Sequence, residues 1–204
     1  MCSSDLFPSH DNAAGTCVKP SGNSSQFLDC GSGLHTRYGE YIIRRFRGSV
    51  NDPVSKLLRD EGVPCHFDPM NDSLLVFEFP VKSPSGTPTR HDMTAIDMLE
   101  NWLFWKKNWA EHSVSCTIYV DKNEWVEVGN WVYQHFDEIS GLSFLPKSGG
   151  NYALAPYEEI TQEEYQKRVD TFPVIDWSKL SRYEVEDYTT SATEYACVGG
   201  SCEI

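Results

Sequence analysis

From Tyr41 onward, short β-rich runs trade places with stretches whose apolar residues recur at helical spacing. Tyr41 to Phe46 reads as a strand, because β-branched and aromatic residues dominate it. Asp52 followed by Pro53 predicts a helix start, with Leu57 and Leu58 facing inward and Gly62 at the end. Leu74 to Val81 puts Leu75, Phe77 and Phe79 on one face, the period of a strand. Pro80, Pro84, Gly86 and Pro88 then predict a loop. Thr94 and Asp97 have the spacing of a capping box, and Met98, Leu99, Trp102, Leu103, Lys106 and Trp109 continue at helical spacing.

Val114 to Val120 predicts a further strand, with Val114, Cys116, Ile118 and Val120 on one side. Trp125 to Phe136 reads as a helix, and Gly141 to Leu145 as a short buried strand stopped by Pro146. Thr161 and Glu164 form a second capping box, opening a helix that ends before Pro173. Strand–helix alternation with these connection lengths predicts an α/β layer or barrel of largely parallel strands. After Leu180 the periodicity fades into Thr189 to Thr193 and then Gly199-Gly200. Glu158 to Ile204 carries 11 acidic against 4 basic residues, a net of −7 out of −13 for the chain. That stretch reads as a mobile acidic tail.

Composition narrows the classes. At 204 residues, 40% hydrophobic and 13% aromatic, the chain has material for one real core or two small ones. No apolar run approaches the ~20 residues of a membrane span. With 17 basic and 30 acidic residues, non-specific binding to nucleic acid is excluded. Seven cysteines, an odd number, without a charged-then-apolar leader point to a reduced, cytoplasmic protein. Met1 to Leu6 has no targeting character, and codons for Cys2 to Leu6 spell part of a common sequencing adapter. Residues 1–12 are therefore read as an artefactual or truncated start.

Several groupings have chemical potential. Lys19 to Gln26 crowds Ser21, Gly22, Asn23, Ser24 and Ser25 into one turn. If a helix opens at Ser24 or Ser25, its first N–H groups and the nearby hydroxyls suit a phosphate. The plainer reading is a Ser/Gly turn that caps a helix, and the ending of a Walker A loop is absent. Cys197 and Cys202 flank a Gly-Gly hinge, where a pair of thiols is free to close a disulfide or exchange with another. Half a zinc site or incidental cysteines are the alternatives, although two thiols fall short of the about four ligands of zinc.

Arg37, Arg44, Arg45 and Arg47 would neutralise either substrate phosphates or carboxylates of the same protein, or lie solvated on a strand edge. No metal-ligand spacing appears among the histidines, and Glu111-His112 reads as a hydrogen-bonded corner. Trp102, Trp105, Trp109, Trp125 and Trp131 read as core, and Cys30, Cys65 and Cys116 as small buried hydrophobes.

Taken in order, these residues resemble the C-terminal segment of a class II, adenosylcobalamin-dependent ribonucleotide reductase, most closely the ribonucleoside-triphosphate type. The likeness rests on T-C-V-K-P-S-G-N-S-S-Q (Thr16 to Gln26), S-G-L-H-T-R-Y (Ser32 to Tyr38) and Y-I-I-R-R-F-R (Tyr41 to Arg47). It continues through E-H-S-V-S-C-T-I-Y (Glu111 to Tyr119), G-L-S-F-L-P (Gly141 to Pro146), A-P-Y-E-E-I (Ala155 to Ile160) and A-C-V-G-G-S-C-E (Ala196 to Glu203).

The resemblance implies an α/β fold: the C-terminal part of a ten-stranded α/β barrel over residues 13–172, then a flexible acidic tail over 173–204. It implies a reaction in which a cysteine thiyl radical, made by homolysis of a cobalt–carbon bond, abstracts the ribose 3′ hydrogen. Water leaves from the 2′ position, and a pair of cysteines supplies the electrons. Ser21, Gly22, Asn23, Ser24 and Ser25 match the loop that holds the substrate's phosphates. Cys197 and Cys202 match the tail pair that re-reduces the active site and is itself reduced by a thioredoxin-like partner. The Asn-x-Cys-x-Glu element of the radical cysteine is absent, so this piece alone is expected to be inactive and to need the remainder of the reductase chain. Adenosylcobalamin is the implied cofactor, without residues assigned to it. The rival expectation is a stand-alone thiol-exchange or interaction protein that docks a thioredoxin-like partner.

Overall fold

The computed structural model describes residues 14–21, 24–148 and 154–184. Along the chain run α1 (Ser24–Phe27), β1 (Tyr41–Ser49), α2 (Pro53–Asp60), β2 (Cys65–Asp68), β3 (Asn71–Lys82) and α3 (Ala95–Asn108). Then follow β4 (Thr117–Val120), α4 (Trp125–Gln134), β5 (Ser143–Pro146), β6 (Tyr157–Glu159) and α5 (Gln162–Asp170). Short 3₁₀ turns cover Phe136–Glu138 and Trp177–Arg182. These elements form two units. The first takes its described residues from Met1–Arg37 and Gly86–Gly149, the second from Tyr38–Ser85 and Gly150–Ile204.

The second unit is built on a four-stranded sheet in the order β2-β3-β1-β6, antiparallel throughout. This corrects the expectation of largely parallel strands. The ladder between β1 and β3 runs from Tyr41 opposite Lys82 to Ser49 opposite Leu74. Pro80 lies inside β3, not in the expected loop. Pairing with β2 reaches only to Phe77, so Pro80 has β1 on one side alone, where a missing N–H is tolerated. The edge strands β2 and β6 had no periodic signal, being only 4 and 3 residues long.

Local chemistry accounts for α2. Asp52 accepts a hydrogen bond from the Ser55 N–H at 3.0 Å, Pro53 starts the helix, and Gly62 takes φ +85° just past its end. Leu58, Val63, Leu75 and Phe77 form the centre of this unit's core, joined by Phe79, Phe172 and Ile175. Gly48 lets β1 approach α2 closely, because a Cβ there would lie 2.2 Å from the Ser55 hydroxyl. The docked chain continues past Phe172: Lys179 Nζ reaches Glu61 at 2.7 Å and the Tyr183 hydroxyl reaches Asp60 at 3.0 Å.

In the first unit, β4 and β5 pair in parallel and α4 connects them. Thr94 and Asp97 make the expected capping box at the start of α3. Its buried face, including Met98, Leu99, Trp102 and Leu103, packs with Val114, Cys116, Ile118 and Val120. Trp102 also donates its indole N–H to the Val114 carbonyl at 2.8 Å, so a buried polar atom is satisfied. The predicted strand is shorter than expected at its start. Val114 makes only an isolated parallel bridge, with Val18.

Three burial expectations need correction. β5 lies mostly at the surface, Leu145 being 47% exposed. Of the five tryptophans read as core, Trp102 and Trp131 are buried, whereas Trp105, Trp109 and Trp125 are exposed. Cys116 is buried, Cys65 half-buried and Cys30 exposed.

Candidate functional site

The serine-rich turn belongs to the first unit. Ser21, Ser24 and Ser25 are described; Gly22 and Asn23 lie outside the described residues. A helix does open at Ser24, as the composition suggested, but it is only 4 residues long. Ser24 is exposed and Ser25 buried. Two hydroxyls close the loop on one acceptor: Ser25 Oγ at 3.3 Å and Ser32 Oγ at 2.9 Å both donate to the Ser21 carbonyl. The far end of α1 is finished by the Asp29 N–H on the Gln26 carbonyl at 3.3 Å and the Cys30 N–H on the Ser25 carbonyl at 2.9 Å.

This turn rests on fixed neighbours. Gly33, at φ +59°, brings its turn so close that a Cβ would lie 3.3 Å from the Lys19 carbonyl oxygen. Val18 in turn bonds Ser113 and Ser115 through the backbone. Upstream, Thr16 receives the N–H groups of Glu111 and His112, and Glu111 accepts the Gly15 N–H. Glu111-His112 is thus the expected hydrogen-bonded corner. Arg37 Nη2 donates to Asp29 Oδ1 at 2.9 Å, with Arg37 only 7% exposed. Nothing in the sequence pattern pointed to Asp29.

The other three arginines sit on β1 in the second unit, an inner strand and not an edge. Arg45 binds Glu78 Oε1 at 2.8 Å, the Ala155 carbonyl at 3.0 Å and the Glu158 carboxylate. Arg168 reaches the second oxygen of Glu78 at 3.0 Å. Burial works against the Glu78 carboxylate, yet the two guanidiniums outweigh it and hold its pKa below the usual value. Arg47 pairs with Asp68 at 2.8 Å, and Arg44 lies over the Tyr157 ring at 5.1 Å. These charges serve carboxylates and a ring of their own unit, the second of the readings left open by the sequence.

Cys197 and Cys202 lie outside the described residues. Among the described cysteines, burial pushes the Cys116 thiol up to about 11 and raises that of Cys65, which suits neither to thiolate chemistry. Cys17 and Cys30 are exposed. Among the described residues no cluster of metal-ligating side chains occurs, and no helix is long and apolar enough to cross a membrane.

No family model matches the chain. It is, however, 30% identical over 201 residues to the adenosylcobalamin-dependent ribonucleoside-triphosphate reductase of Lactobacillus delbrueckii subsp. bulgaricus, a match covering 93% of this chain and 26% of the relative. The chain is a relative of the class II ribonucleotide reductases. A probable enzyme of the same name from Dictyostelium discoideum is 29% identical over 198 residues, again 93% of this chain and 25% of the relative. A crystal structure of a B12-dependent (class II) ribonucleotide reductase superposes with a TM-score of 0.69 at 26% identity, over 83% of this chain and 24% of that one. The chain therefore spans about a quarter of the length of the reductases it matches.

Proposed function

We propose that this chain is the C-terminal part of an adenosylcobalamin-dependent ribonucleoside-triphosphate reductase, converting ribonucleoside triphosphates or diphosphates to 2′-deoxyribonucleotides in the cytoplasm. The observation that carries the proposal is the 30% identity sustained over 93% of the chain. Residues 13–172 would contribute the last strands and helices of a ten-stranded barrel, and 173–204 the tail. The mixed α/β structure and its superposition on a class II reductase support this placement.

Within that enzyme, Ser21, Gly22, Asn23, Ser24 and Ser25 bind the substrate's phosphates. Support comes from the helix that opens at Ser24, the exposure of Ser24, and the closure of the loop on the Ser21 carbonyl. Cys197 and Cys202 carry electrons: their thiols reduce the active-site disulfide, and a thioredoxin-like protein reduces theirs. Bound adenosylcobalamin would supply the radical. No residue of this chain is assigned to the cofactor. The remainder of the reductase chain would provide that site and the radical cysteine, and this piece alone is inactive.

Two measurements on the chain test the reading together. CTP binding by calorimetry should weaken by ~1–3 kcal/mol when Ser24 and Ser25 are both replaced by alanine, the value of hydrogen bonds to a charged group. After oxidation, thioredoxin with its reductase and NADPH should reduce the chain by one disulfide, and Cys197→Ser should abolish this. A stand-alone thiol-exchange protein would give the second result and bind no CTP. Unchanged affinity in the double variant removes the phosphate assignment.

A further inference from the structure

The end of α2 breaks a local rule. Asp60 is its last residue and Glu61 its C-cap, so two carboxylates stand at the negative end of the helix dipole, where cations are favoured. Arg59 answers Asp60 alone, at 3.3 Å. The rest of the compensation comes from groups 115 to 123 residues further along the chain. Glu61 accepts the Asp176 N–H at 3.2 Å on one oxygen and the Lys179 ammonium at 2.7 Å on the other. Asp60 accepts the Tyr183 hydroxyl at 3.0 Å.

Residues 172–183 thereby form a strap across the end of α2. Phe172 and Ile175 pack against the core of the second unit. Asp176 then accepts the Ser178 N–H at 3.1 Å and starts the short turn Trp177–Arg182, which carries Lys179 to Glu61. From Tyr183 to Cys197 there are 14 residues, at most about 50 Å fully extended. From Ile175 there are 22, at most about 75 Å.

We propose that Asp60 and Glu61 are positioning residues for the C-terminal thiols: by holding the strap against α2 they fix the point from which the leash of Cys197 and Cys202 departs. The proposal rests on the redox reading of that pair, and every contact it uses joins described residues. A disulfide reduced by Cys197 then lies within about 50 Å of Tyr183. Shortening the leash from 22 to 14 residues also concentrates the thiols on a target within reach, by about twofold on the −3/2 power of length.

A variant of the 204-residue chain that carries both Glu61→Lys and Tyr183→Phe tests it. It suits the helix dipole better than the parent does, yet it sets an ammonium against Lys179 and removes the hydroxyl that Asp60 accepts. Hydrogen exchange at residues 176–183 should quicken about tenfold or more, as expected for lost hydrogen bonds to charged groups. For the leash, nitroxides are placed on Cys197 and on Asp72→Cys, an exposed position of the same unit, with the other cysteines changed to alanine. Their mean separation should grow and its distribution should widen by about a quarter, the square root of 22 over 14. The melting midpoint should fall whether the strap positions the thiols or merely covers the core, so it does not decide.

Faster exchange in the strap with a parent-like separation means that it only covers the core, and that result overturns the proposal. Parent-like exchange overturns it too, since the carboxylates then hold nothing. Should the variant fail to fold, Lys179→Met with Tyr183→Phe carries the same test, because it releases the strap from its own side and leaves α2 unaltered. Reduction by thioredoxin separates the two levels. If thioredoxin reduces the oxidised parent while the separation never moves, the redox reading stands and the pivot falls; if thioredoxin leaves the parent oxidised, the redox reading falls and takes the pivot with it.

Discussion

The two units solve opposite problems with charge. In the second, three arginines on β1 meet carboxylates or a tyrosine ring supplied by β2, β3 and β6, so the positive strand is spent internally. In the first, twelve buried residues, all apolar or cysteine, form a continuous core, and the buried arginine next to the serine turn has a single described carboxylate beside it. Arginine density along the sequence is thus a poor guide to a ligand site. What matters is how many carboxylates the fold brings within reach of each guanidinium.

The contrast has graded consequences. Trp102→Ala should cost about 3–5 kcal/mol, because it opens a cavity at the centre of the apolar core and removes the partner of the Val114 carbonyl. Urea unfolding, with hydrogen exchange assigning the loss to residues of the first unit, measures it. Glu78→Gln should cost less, about 2–3 kcal/mol, since Arg45 retains Glu158 and Arg168 retains Glu164. Here the exchange should rise along β1 and β3.

Acid sharpens the same difference. The folded pKa of Glu78 is depressed below its unfolded value, so its contribution is present above the ordinary carboxylate range and fades as pH falls through the folded pKa. Hydrogen exchange at low pH should therefore show β1 and β3 loosening more than α3 and β4, and Glu78→Gln should flatten that dependence. Equal loosening of both units would break the comparison. The smallest effect is chemical. Under native conditions an alkylating agent should modify Cys17 and Cys30 promptly and Cys116 only on unfolding, as peptide mass spectrometry can follow.

Which features were legible follows from their range along the chain. Asp52, Pro53 and Gly62 bound α2, and Thr94 with Asp97 starts α3, because capping is decided within four residues. The antiparallel pairing of β1 with β3 depends on residues over 20 positions apart, such as Ser49 and Leu74, and strand periodicity is blind to direction. At β2 and β6 the runs are too short to show a period at all. The candidate site divides the same way. Ser21 and Ser24 announced themselves by composition, whereas Asp29 became meaningful only once the fold set Arg37 against it. The fates of Arg45 and Arg47 were equally hidden, since Glu78 and Asp68 are distant in sequence.

The threading of the chain has a bearing on biosynthesis. The serine turn leaves the ribosome before the struts beneath it can form, because those from Gly15 and Thr16 to Glu111 and from Val18 to Ser113 and Ser115 span up to 97 residues. A nascent chain must release most of the intervening second-unit sheet from the ribosome before those struts exist. The turn is made before its struts and matures only after them, and no single cut yields the first unit as one uninterrupted stretch of polypeptide.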